Sequence, residues 1–128
     1  MRPRADPPQY DATVSDCLFC KIAAGEIPAT KVHETAQVLA FRDISPQAPV
    51  HVLVIPKAHH RDVVELAEND PQLAGELLAA AATIARAEGL VDGGYRTIFN
   101  TGPYAGQEVH HVHAHLLGGT PLGPMLAR

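Results

Sequence analysis

The sequence predicts an α+β domain with a five-stranded, mostly antiparallel sheet and two helices, in the order α-β-β-β-α-β-β. Two observations lead to this prediction. The β-like runs come in neighbouring pairs joined by short turn sequences, which favours hairpins, and one long amphipathic run separates the third strand from the fourth. At 128 residues the chain has the length of one domain, and folding buries about two-thirds of its extended surface.

The composition is that of a soluble globular protein, with 46% hydrophobic and 19% charged residues. The formal net charge of −4 gives no general attraction to nucleic acid or anionic lipid, so a preference for phosphate needs a local site. No apolar run approaches the roughly 18 residues of a membrane-spanning helix, and the N-terminus lacks the apolar segment of a signal peptide. We therefore expect a cytoplasmic protein with neither nucleic acid nor membrane as a partner.

The domain is expected over residues 16–119, between two short flanking segments. Residues 1–15 carry three prolines and little apolar periodicity, which is typical of a mobile arm. Residues 120–128 form a C-terminal tail.

A short helix is predicted to open the domain. Ser15 or Asp16 can cap its first turn, and Gly25 marks its end. This helix puts Cys17 and Cys20 at positions i and i+3, on one side, where their sulfur atoms can converge.

Three strands are predicted to follow. Residues 31–34 and 38–43 form a hairpin around a three-residue connection. Two prolines within residues 44–49 exclude regular structure, so this segment is a loop. The apolar run of residues 51–55 is a central strand that ends at Pro56.

The second half of the chain supplies the long helix and the last two strands. Asp70 and Pro71 combine a capping residue with proline at the first helical position, and Gly89 ends the helix. Residues 96–100 and 109–117 are the fourth and fifth strands, joined by a turn rich in glycine and proline.

The fifth strand carries four of the eight histidines, within the run His-His-Val-His-Ala-His at 110–115. Because side chains alternate across a strand, His111, His113 and His115 share one face, roughly 6.5 Å apart, and the apolar residues face the other way. A single small anion can contact two or three of these imidazoles. A transition-metal site is the alternative, since imidazole is the commonest metal ligand at neutral pH.

Several blocks of the chain resemble the histidine-triad (HIT) family. Residues 111–117, His-Val-His-Ala-His-Leu-Leu, fit its signature of three alternating histidines followed by apolar residues. The blocks that are similar to the Hint branch in particular are Phe-Arg-Asp-Ile-Ser-Pro-Gln-Ala-Pro at 41–49, Val-Ile-Pro-Lys at 54–57, Gly-Gln at 106–107 and Gly-Gly at 118–119. The resemblance runs from about residue 16 to residue 119, most of the chain.

This resemblance implies a homodimeric fold that binds purine nucleotides. It also implies a nucleotide hydrolase or transferase that acts on purine nucleoside phosphoramidates, or related nucleotides, through a nucleotidyl-histidine intermediate. His113 would be the nucleophile, since a neutral imidazole can attack phosphorus when an acceptor holds the proton of its other nitrogen. A carbonyl of the turn at residues 101–106 is the expected acceptor. The other catalytic residues that the resemblance assigns are His111, His115 for the phosphate and His51 for proton relay.

The substrate pocket is likewise carried over from the family by position. The nucleoside is expected on Ile27, Phe41, Asp43 and Ile44, with Asp43 on the ribose hydroxyls. Further substrate-binding positions are Asn100, Gly106, Gln107, Glu108 and Val109, with Gln107 on a phosphate oxygen. Phe41 and Ile44 are equally consistent with plain core residues, and Asp43 with a cap for the loop that it opens.

Many bacterial relatives with a C-x-x-C ahead of the first strand hold zinc, and the resemblance implies zinc here on Cys17, Cys20, His59 and His111. Two thiolates and two imidazoles close a tetrahedron, which is typical of a structural zinc, so the chemistry itself requires no cofactor. The alternative is that both cysteines are ordinary buried residues on a helix face.

Glu108 departs from the family pattern, which has a small hydroxyl residue, usually serine, against the phosphate. A carboxylate about 4 Å from a phosphate costs on the order of 4 kcal/mol at an effective dielectric of 20. Either Glu108 turns away, or it pairs with a basic leaving group, which favours phosphoramidates of amines. Two other functions stay open: a zinc-containing purine-nucleotide-binding protein with little turnover, and a dinucleoside polyphosphate hydrolase.

Overall fold

The computed structural model describes residues 16–126, which form one sheet with helices on both of its faces. The elements in chain order are α1 (Leu18–Ala23), β1 (Lys31–Glu34), β2 (Val38–Arg42), β3 (Val50–Pro56), α2 (Val63–Asn69), α3 (Pro71–Ala87), β4 (Tyr95–Phe99), a 3-10 turn (Pro103–Ala105) and β5 (Ala114–Gly118). All five strands pair antiparallel in the order β1-β2-β3-β5-β4. The predicted α+β class is confirmed, and the predicted arm at residues 1–15 lies outside the described residues.

The central strands β2 and β3 are buried on both faces. One face packs against α3 through the even-numbered residues Val38, Ala40, Val52 and Val54. The other packs against α1 and the segment after it through the odd-numbered residues Leu39, Phe41, Leu53 and Ile55. Since side chains alternate along a strand, this second face is also the one that presents odd-numbered histidines.

The helix α1 begins after Cys17, whose Sγ accepts a hydrogen bond from the backbone N–H of Cys20 at 3.2 Å. The predicted cap Asp16 is wrong, because Cys17 is the N-cap and its sulfur atom satisfies the first turn; the alternative cap Ser15 lies outside the described residues. The predicted end is confirmed: Gly25 has φ +80, in the left-handed region that glycine adopts without strain.

A third helix, α2, corrects the predicted count of two. The Asp62 side chain accepts from the backbone N–H of Glu65 at 2.9 Å, and the Glu65 carboxylate accepts from the N–H of Arg61 at 2.6 Å. The spacing of Asp62 and Glu65 matches a helix-capping pattern that was readable in the sequence. The long helix α3 starts as predicted, with the Asp70 side chain accepting from the N–H of Leu73 at 3.0 Å.

The strand β5 is shorter than predicted and starts at Ala114 rather than residue 109. Val54 pairs with Ala114, so a longer β5 would run alongside Pro56, which has no N–H to donate. The N–H of Val112 bonds instead to the carbonyl of His60 at 2.7 Å. The predicted alternation is nevertheless confirmed: Val112, Ala114 and Leu116 lie in the core under α3.

The two glycines after the histidine run permit close packing at the end of β5. A side chain at Gly118 would come within 3.0 Å of Leu90, and Gly119 has φ +94 with Pro49 at 3.0 Å from the position of a Cβ. Beyond them, the guanidinium of Arg96 on β4 donates to carbonyls of the tail, at Gly123 and Pro124. Over residues 16–126, no helix combines the length and the apolar character that a bilayer crossing requires.

Candidate active site

The three alternating histidines lie on the α1 side of the sheet, at graded depth. His111 is fully buried, His113 is 9% exposed, and His115 is half-buried. The rings of His113 and His115 are 5.0 Å apart, and Phe19 of α1 contacts His113 edge-on at 5.1 Å. The predicted common face is therefore confirmed, although only His115 lies within β5.

His113 has a defined proton position. Its Nδ1 lies 2.8 Å from the backbone carbonyl of His111, so Nδ1 carries the proton and donates it. Burial lowers the pKa of His113, against smaller opposing effects of that carbonyl and of Asp43. The ring is thus neutral at pH 7 and keeps a lone pair on Nε2. The predicted acceptor in the turn at 101–106 is wrong, because the chain bends back so that His111 supplies it.

His115 and His51 form a contact beside the nucleophile candidate. His51 Nε2 lies 2.9 Å from His115 Nδ1 and 3.5 Å from a carboxylate oxygen of Asp43, and the backbone N–H of Gln47 donates to His51 Nδ1 at 3.0 Å. Burial lowers the pKa of His51, and burial with the neighbouring histidines lowers the pKa of His115 to about 4. Both rings are therefore neutral at pH 7.

The predicted zinc ligands converge in a second cluster. Cys17 Sγ and Cys20 Sγ lie 3.3 and 3.4 Å from His111 Nδ1, and Cys20 Sγ lies 3.3 Å from His59 Nδ1. All four ligand atoms lie within 4.8 Å of one another, where a tetrahedral zinc site has separations of roughly 3.5 Å.

The proton positions in this cluster also fit a metal. The Nε2–H of His111 donates to the carbonyl of Pro56 at 2.8 Å, which leaves the Nδ1 lone pair directed at the sulfur atoms. Burial raises the pKa of the Cys20 thiol to about 12, with a further contribution from Cys17. A bound divalent cation would displace that proton, because a thiolate is the form that ligates.

A cleft of about 360 Å³ meets the histidine cluster at Asp43, which lies 3.5 Å from His51 Nε2. Its lining includes three predicted nucleoside positions, Phe41, Asp43 and Ile44. Ile44 is 98% exposed, so it is no core residue, whereas Phe41 is 4% exposed and serves both the core and the cleft wall. Asp43 also accepts from the N–H of Ser45 at 2.7 Å, so it caps the loop as well.

Sequence reasoning missed five of the eight residues that line this cleft. The overlooked lining residues are Ile22, Pro28, Ala29, Thr30 and Arg42. No sequence signal marks the 28–30 segment as a wall, because its position depends on how the loop after α1 folds over β2. A larger cavity, of about 500 Å³, lies between the glycine-rich turns after α3 and after β5 and has no titratable residue in its lining.

The loop before the histidines is organised by Gln107. Its side-chain oxygen accepts from the N–H of Gly102 at 3.0 Å, and its Nε2 donates to the carbonyls of Arg61 and Val109 at 2.8 and 3.1 Å. The side-chain amide of Gln107, which was expected to contact a phosphate oxygen, therefore already makes its hydrogen bonds to backbone groups.

The remaining predicted substrate positions surround that loop. Gly106 has φ +79 and ends the 3-10 turn. Glu108 is exposed, with no hydrogen bond or ion pair to the residues at 16–126. Asn100 is half-buried at the end of β4, and Ile27 and Val109 pack against the core on the α1 side instead of lining the cleft.

Comparison with known proteins agrees with this geometry. The HIT domain family model matches residues 24–122. The purine nucleoside phosphoramidase of Escherichia coli K12 is 49% identical over 112 residues, 88% of this chain and 94% of that protein. The 14 kDa zinc-binding protein of Zea mays is 48% identical over 107 residues, 82% of this chain and 83% of that protein.

A solved structure gives the same result for the fold. The HIT family hydrolase from Legionella pneumophila Philadelphia 1 has a TM-score of 0.81 and 52% sequence identity, covering 84% of this chain and 96% of that one. The family model, the identities and the shared fold all cover the histidine run and the sheet that carries it. The chain therefore belongs to the HIT domain family.

Proposed function

We propose that this protein is a nucleotide hydrolase that cleaves purine nucleoside phosphoramidates by double displacement at His113. One observation carries the proposal: the Nδ1–H of His113 is held by the carbonyl of His111 at 2.8 Å, which leaves a free lone pair on Nε2. A nucleoside-sized cleft reaches the histidine cluster through Asp43, which lies 3.5 Å from His51 Nε2. The E. coli relative at 49% identity is a purine nucleoside phosphoramidase, which supports this substrate class.

The reaction needs two steps at phosphorus. His113 Nε2 attacks, the P–N bond to the leaving amine breaks, and the amine departs with a proton taken from solvent, which the second step returns. The imidazolium-like phosphoramidate that forms is stabilised by the carbonyl of His111 at Nδ1. Water then attacks phosphorus, releases the nucleoside monophosphate and restores neutral His113.

The other residues of the site bind and orient the substrate. His115 stands 5.0 Å from His113, ring to ring, and is suited to contact a phosphoryl oxygen. Asp43, 3.5 Å from His51 and at the cleft, is suited to accept from ribose hydroxyls, with Phe41 and Ile44 against the base or sugar. We assign Gln107 to holding the loop rather than to the phosphate, because its amide atoms already bond to backbone.

Glu108 does not argue for a protein with little turnover. Its side chain is exposed, so solvent screens it from a phosphate at His113. The exposed carboxylate retains only a weak attraction for an amine leaving group that carries a positive charge. Dinucleoside polyphosphates offer no such charge on the leaving group, so we favour phosphoramidates.

We also propose that Cys17, Cys20, His59 and His111 hold a structural zinc. The donor set, the separations and the Nδ1 lone pair of His111 all fit tetrahedral zinc, and the Zea mays relative is a zinc-binding protein. The metal would supply cross-linking of α1 to the segment after β3 and would fix the backbone of His111. The free thiols suit a reducing compartment, which supports a cytoplasmic location.

We propose in addition that the protein is a homodimer. β4 lies at one edge of the sheet, so its outer backbone groups are available for another strand. Leu78, Val91 and Tyr95 are exposed apolar side chains on α3, after it and at the start of β4. Sedimentation equilibrium tests this: a mass near 27 kDa, twice the 13.6 kDa of one chain, is expected, and 13.6 kDa contradicts it.

Rapid-quench mass spectrometry tests the catalytic proposal. Enzyme is mixed with an adenosine 5′-phosphoramidate of a fluorescent amine and quenched during the first turnover, when amine has been released but adenylate has not. We expect an adenylate mass on the peptide that contains His113, and none in His113→Ala. Amine release at the wild-type rate by His113→Ala, or an adduct on another residue, refutes double displacement at this histidine.

A further inference from the structure

The loop between β2 and β3 directs one backbone N–H into the histidine cluster. The amide of Gln47 donates to His51 Nδ1 at 3.0 Å. A backbone amide always carries its hydrogen and can only donate, so His51 Nδ1 must be the unprotonated nitrogen. Since the ring is neutral at pH 7, its single proton lies on Nε2.

The proton on His51 fixes the next ring in turn. His51 Nε2 is 2.9 Å from His115 Nδ1, and two lone pairs at that distance would repel. The Nε2–H of His51 therefore donates to His115 Nδ1, with Asp43 at 3.5 Å as a weaker second acceptor. His115 consequently carries its own proton on Nε2, the nitrogen that is left for substrate.

We infer that the backbone amide of Gln47 is a positioning group that sets the tautomers of His51 and His115, so that His115 presents Nε2–H to a phosphoryl oxygen. This inference rests on the proposed function for its purpose, although the tautomers follow from the hydrogen bonds alone. With the opposite tautomer, His115 would direct a lone pair at an anionic oxygen, and the site would repel the charge that it has to stabilise.

The loop is built to hold that amide in place. The Asp43 carboxylate accepts from the N–H of Ser45 at 2.7 Å, and the Gln47 side chain donates to the carbonyl of Ser45 at 3.1 Å. The backbone N–H of Asp43 also donates to the carbonyl of His51 at 3.0 Å. Pro46 restricts the backbone immediately before the donating residue.

The same hydrogen bonds explain why Asp43, His51 and His115 are better described as a proton-ordered chain than as a second metal site. Their ligand atoms lie within 4.8 Å of one another, as metal ligands would. A cation would need the lone pair of His51 on Nε2, which requires the proton to move to Nδ1, against the N–H of Gln47. The backbone N–H of Gln47 thus opposes metal binding by these three residues.

Nitrogen NMR on uniformly ¹⁵N-labelled wild-type protein tests the inference without any substitution. Long-range proton–nitrogen correlation at pH 7 should show Nε2–H tautomers for His51 and His115 and the Nδ1–H tautomer for His113. Nitrogen–nitrogen couplings across the hydrogen bonds should connect Gln47 N with His51 Nδ1, and His51 Nε2 with His115 Nδ1. An Nδ1–H tautomer at His115, or a missing coupling from Gln47, overturns the inference.

A proline scan of the loop tests the consequence for turnover. Gln47→Pro deletes the donating N–H along with the side-chain hydrogen bond to Ser45, and we expect mixed tautomers at His51 and His115 and a fall in kcat of about a hundredfold, with KM nearly unchanged. Gln47→Ala loses only the side-chain hydrogen bond and should keep the wild-type tautomers. Ala48→Pro, the control, stiffens the same loop but keeps the N–H of Gln47, so wild-type tautomers and kcat are expected. Equal losses in both proline variants overturn the assigned role of the amide.

Nitrogen NMR and the rapid-quench experiment together separate the inference from the proposed function. The tautomers and couplings are measured without substrate, so they do not depend on which reaction the site performs. Failure to find an adenylate on His113, with the expected spectra, refutes the function and leaves the tautomer assignment standing. An adenylate on His113 together with the opposite tautomer at His115 refutes the tautomer assignment and leaves the proposed function standing.

Discussion

Two clusters of histidines lie next to each other on one sheet face, and they are suited to different chemistry. His111 joins Cys17, Cys20 and His59 in the metal-type cluster, whereas His113 and His115 contact each other beside His51 and the cleft residue Asp43. All three triad residues are buried or half-buried neutral imidazoles at positions i, i+2 and i+4. Because all three residues are histidines, the amino-acid type alone does not show which role each one has.

The difference lies in the hydrogen-bond partner of the second ring nitrogen. His111 donates from Nε2 to Pro56 and directs its Nδ1 lone pair at the sulfur atoms, while His113 donates from Nδ1 to His111 and keeps its lone pair on Nε2. His115 accepts at Nδ1 from His51 and offers Nε2–H. In the proposed mechanism one residue type thus supplies a metal ligand, a nucleophile and a hydrogen-bond donor, and a backbone group or a neighbouring ring selects each role.

Removing the nucleophile should have the largest effect. His113→Ala is expected to lower the rate of amine release from an adenosine phosphoramidate by roughly a thousandfold or more, because the neighbouring rings of His51 and His115 use their lone pairs in hydrogen bonds. Nucleotide binding, measured by calorimetry with adenylate, should survive. His110→Ala, an exposed histidine of the same run, is the control and should keep wild-type turnover. A small effect of His113→Ala on amine release would contradict the assignment of His113 as the nucleophile.

Breaking the metal-type cluster should affect stability more than catalysis. Cys17→Ser should lose zinc, measured by mass spectrometry of the native protein, and should lose about 2 kcal/mol of unfolding free energy, a fall of several degrees in the unfolding midpoint. Wild type stripped by a chelator should unfold at the same lowered midpoint. An unchanged midpoint after zinc removal would contradict a structural role.

The ribose contact sharpens the comparison on the side of the cleft. Asp43→Asn keeps an oxygen for the N–H of Ser45 but removes the charge, so it should reduce the preference for ribonucleoside over 2′,3′-dideoxynucleoside substrates by roughly tenfold or more. The measurement is the ratio of kcat/KM values for the two substrates. An unchanged ratio would place the ribose elsewhere.

The pH profile should distinguish these histidines from exposed ones. Burial lowers the pKa of His113, and lowers that of His115 to about 4, so kcat/KM should stay level as the pH falls through 6.5 and decline only well below it. A decline of kcat/KM centred on pH 6.5, with the fold intact by circular dichroism, would contradict the assigned burial.

The same pKa shift affects stability. A depressed folded-state pKa means that the unfolded chain binds the proton more readily. The contribution of neutral His115 to stability is thus present above about pH 6.5 and is lost as the pH falls toward about 4.

The smallest effect is expected at the rim of the cleft. Glu108→Ser should reduce the preference for cationic over neutral amine leaving groups by about threefold at low salt, since an exposed carboxylate is worth under about 1 kcal/mol. High salt should remove most of the difference between wild type and variant. If the preference for cationic leaving groups is unchanged in Glu108→Ser and at high salt, Glu108 takes no part in leaving-group recognition.

The parts of the fold that sequence reasoning predicted are those with local signals. Asp70 and Pro71 marked the start of α3, and the hairpin of β1 and β2 follows from alternation and a short turn. The missed helix α2 had a local signal as well, in the spacing of Asp62 and Glu65. The wrong start of β5 had none, because its cause is the proline in the neighbouring strand, which is far away in the chain.

The sequence by itself determined which residues share a face and which residue types are present: an alternating row of imidazoles, a Cys-x-x-Cys pair and two prolines around Gln47. Only the tertiary structure decided what each imidazole can do. The tautomer of a histidine depends on the group that meets its other nitrogen, and those groups are Pro56 for His111 and the amide of Gln47, through His51, for His115. The contacts bridge 55 residues between His111 and Pro56 and 64 between His115 and His51, so no local pattern encodes them.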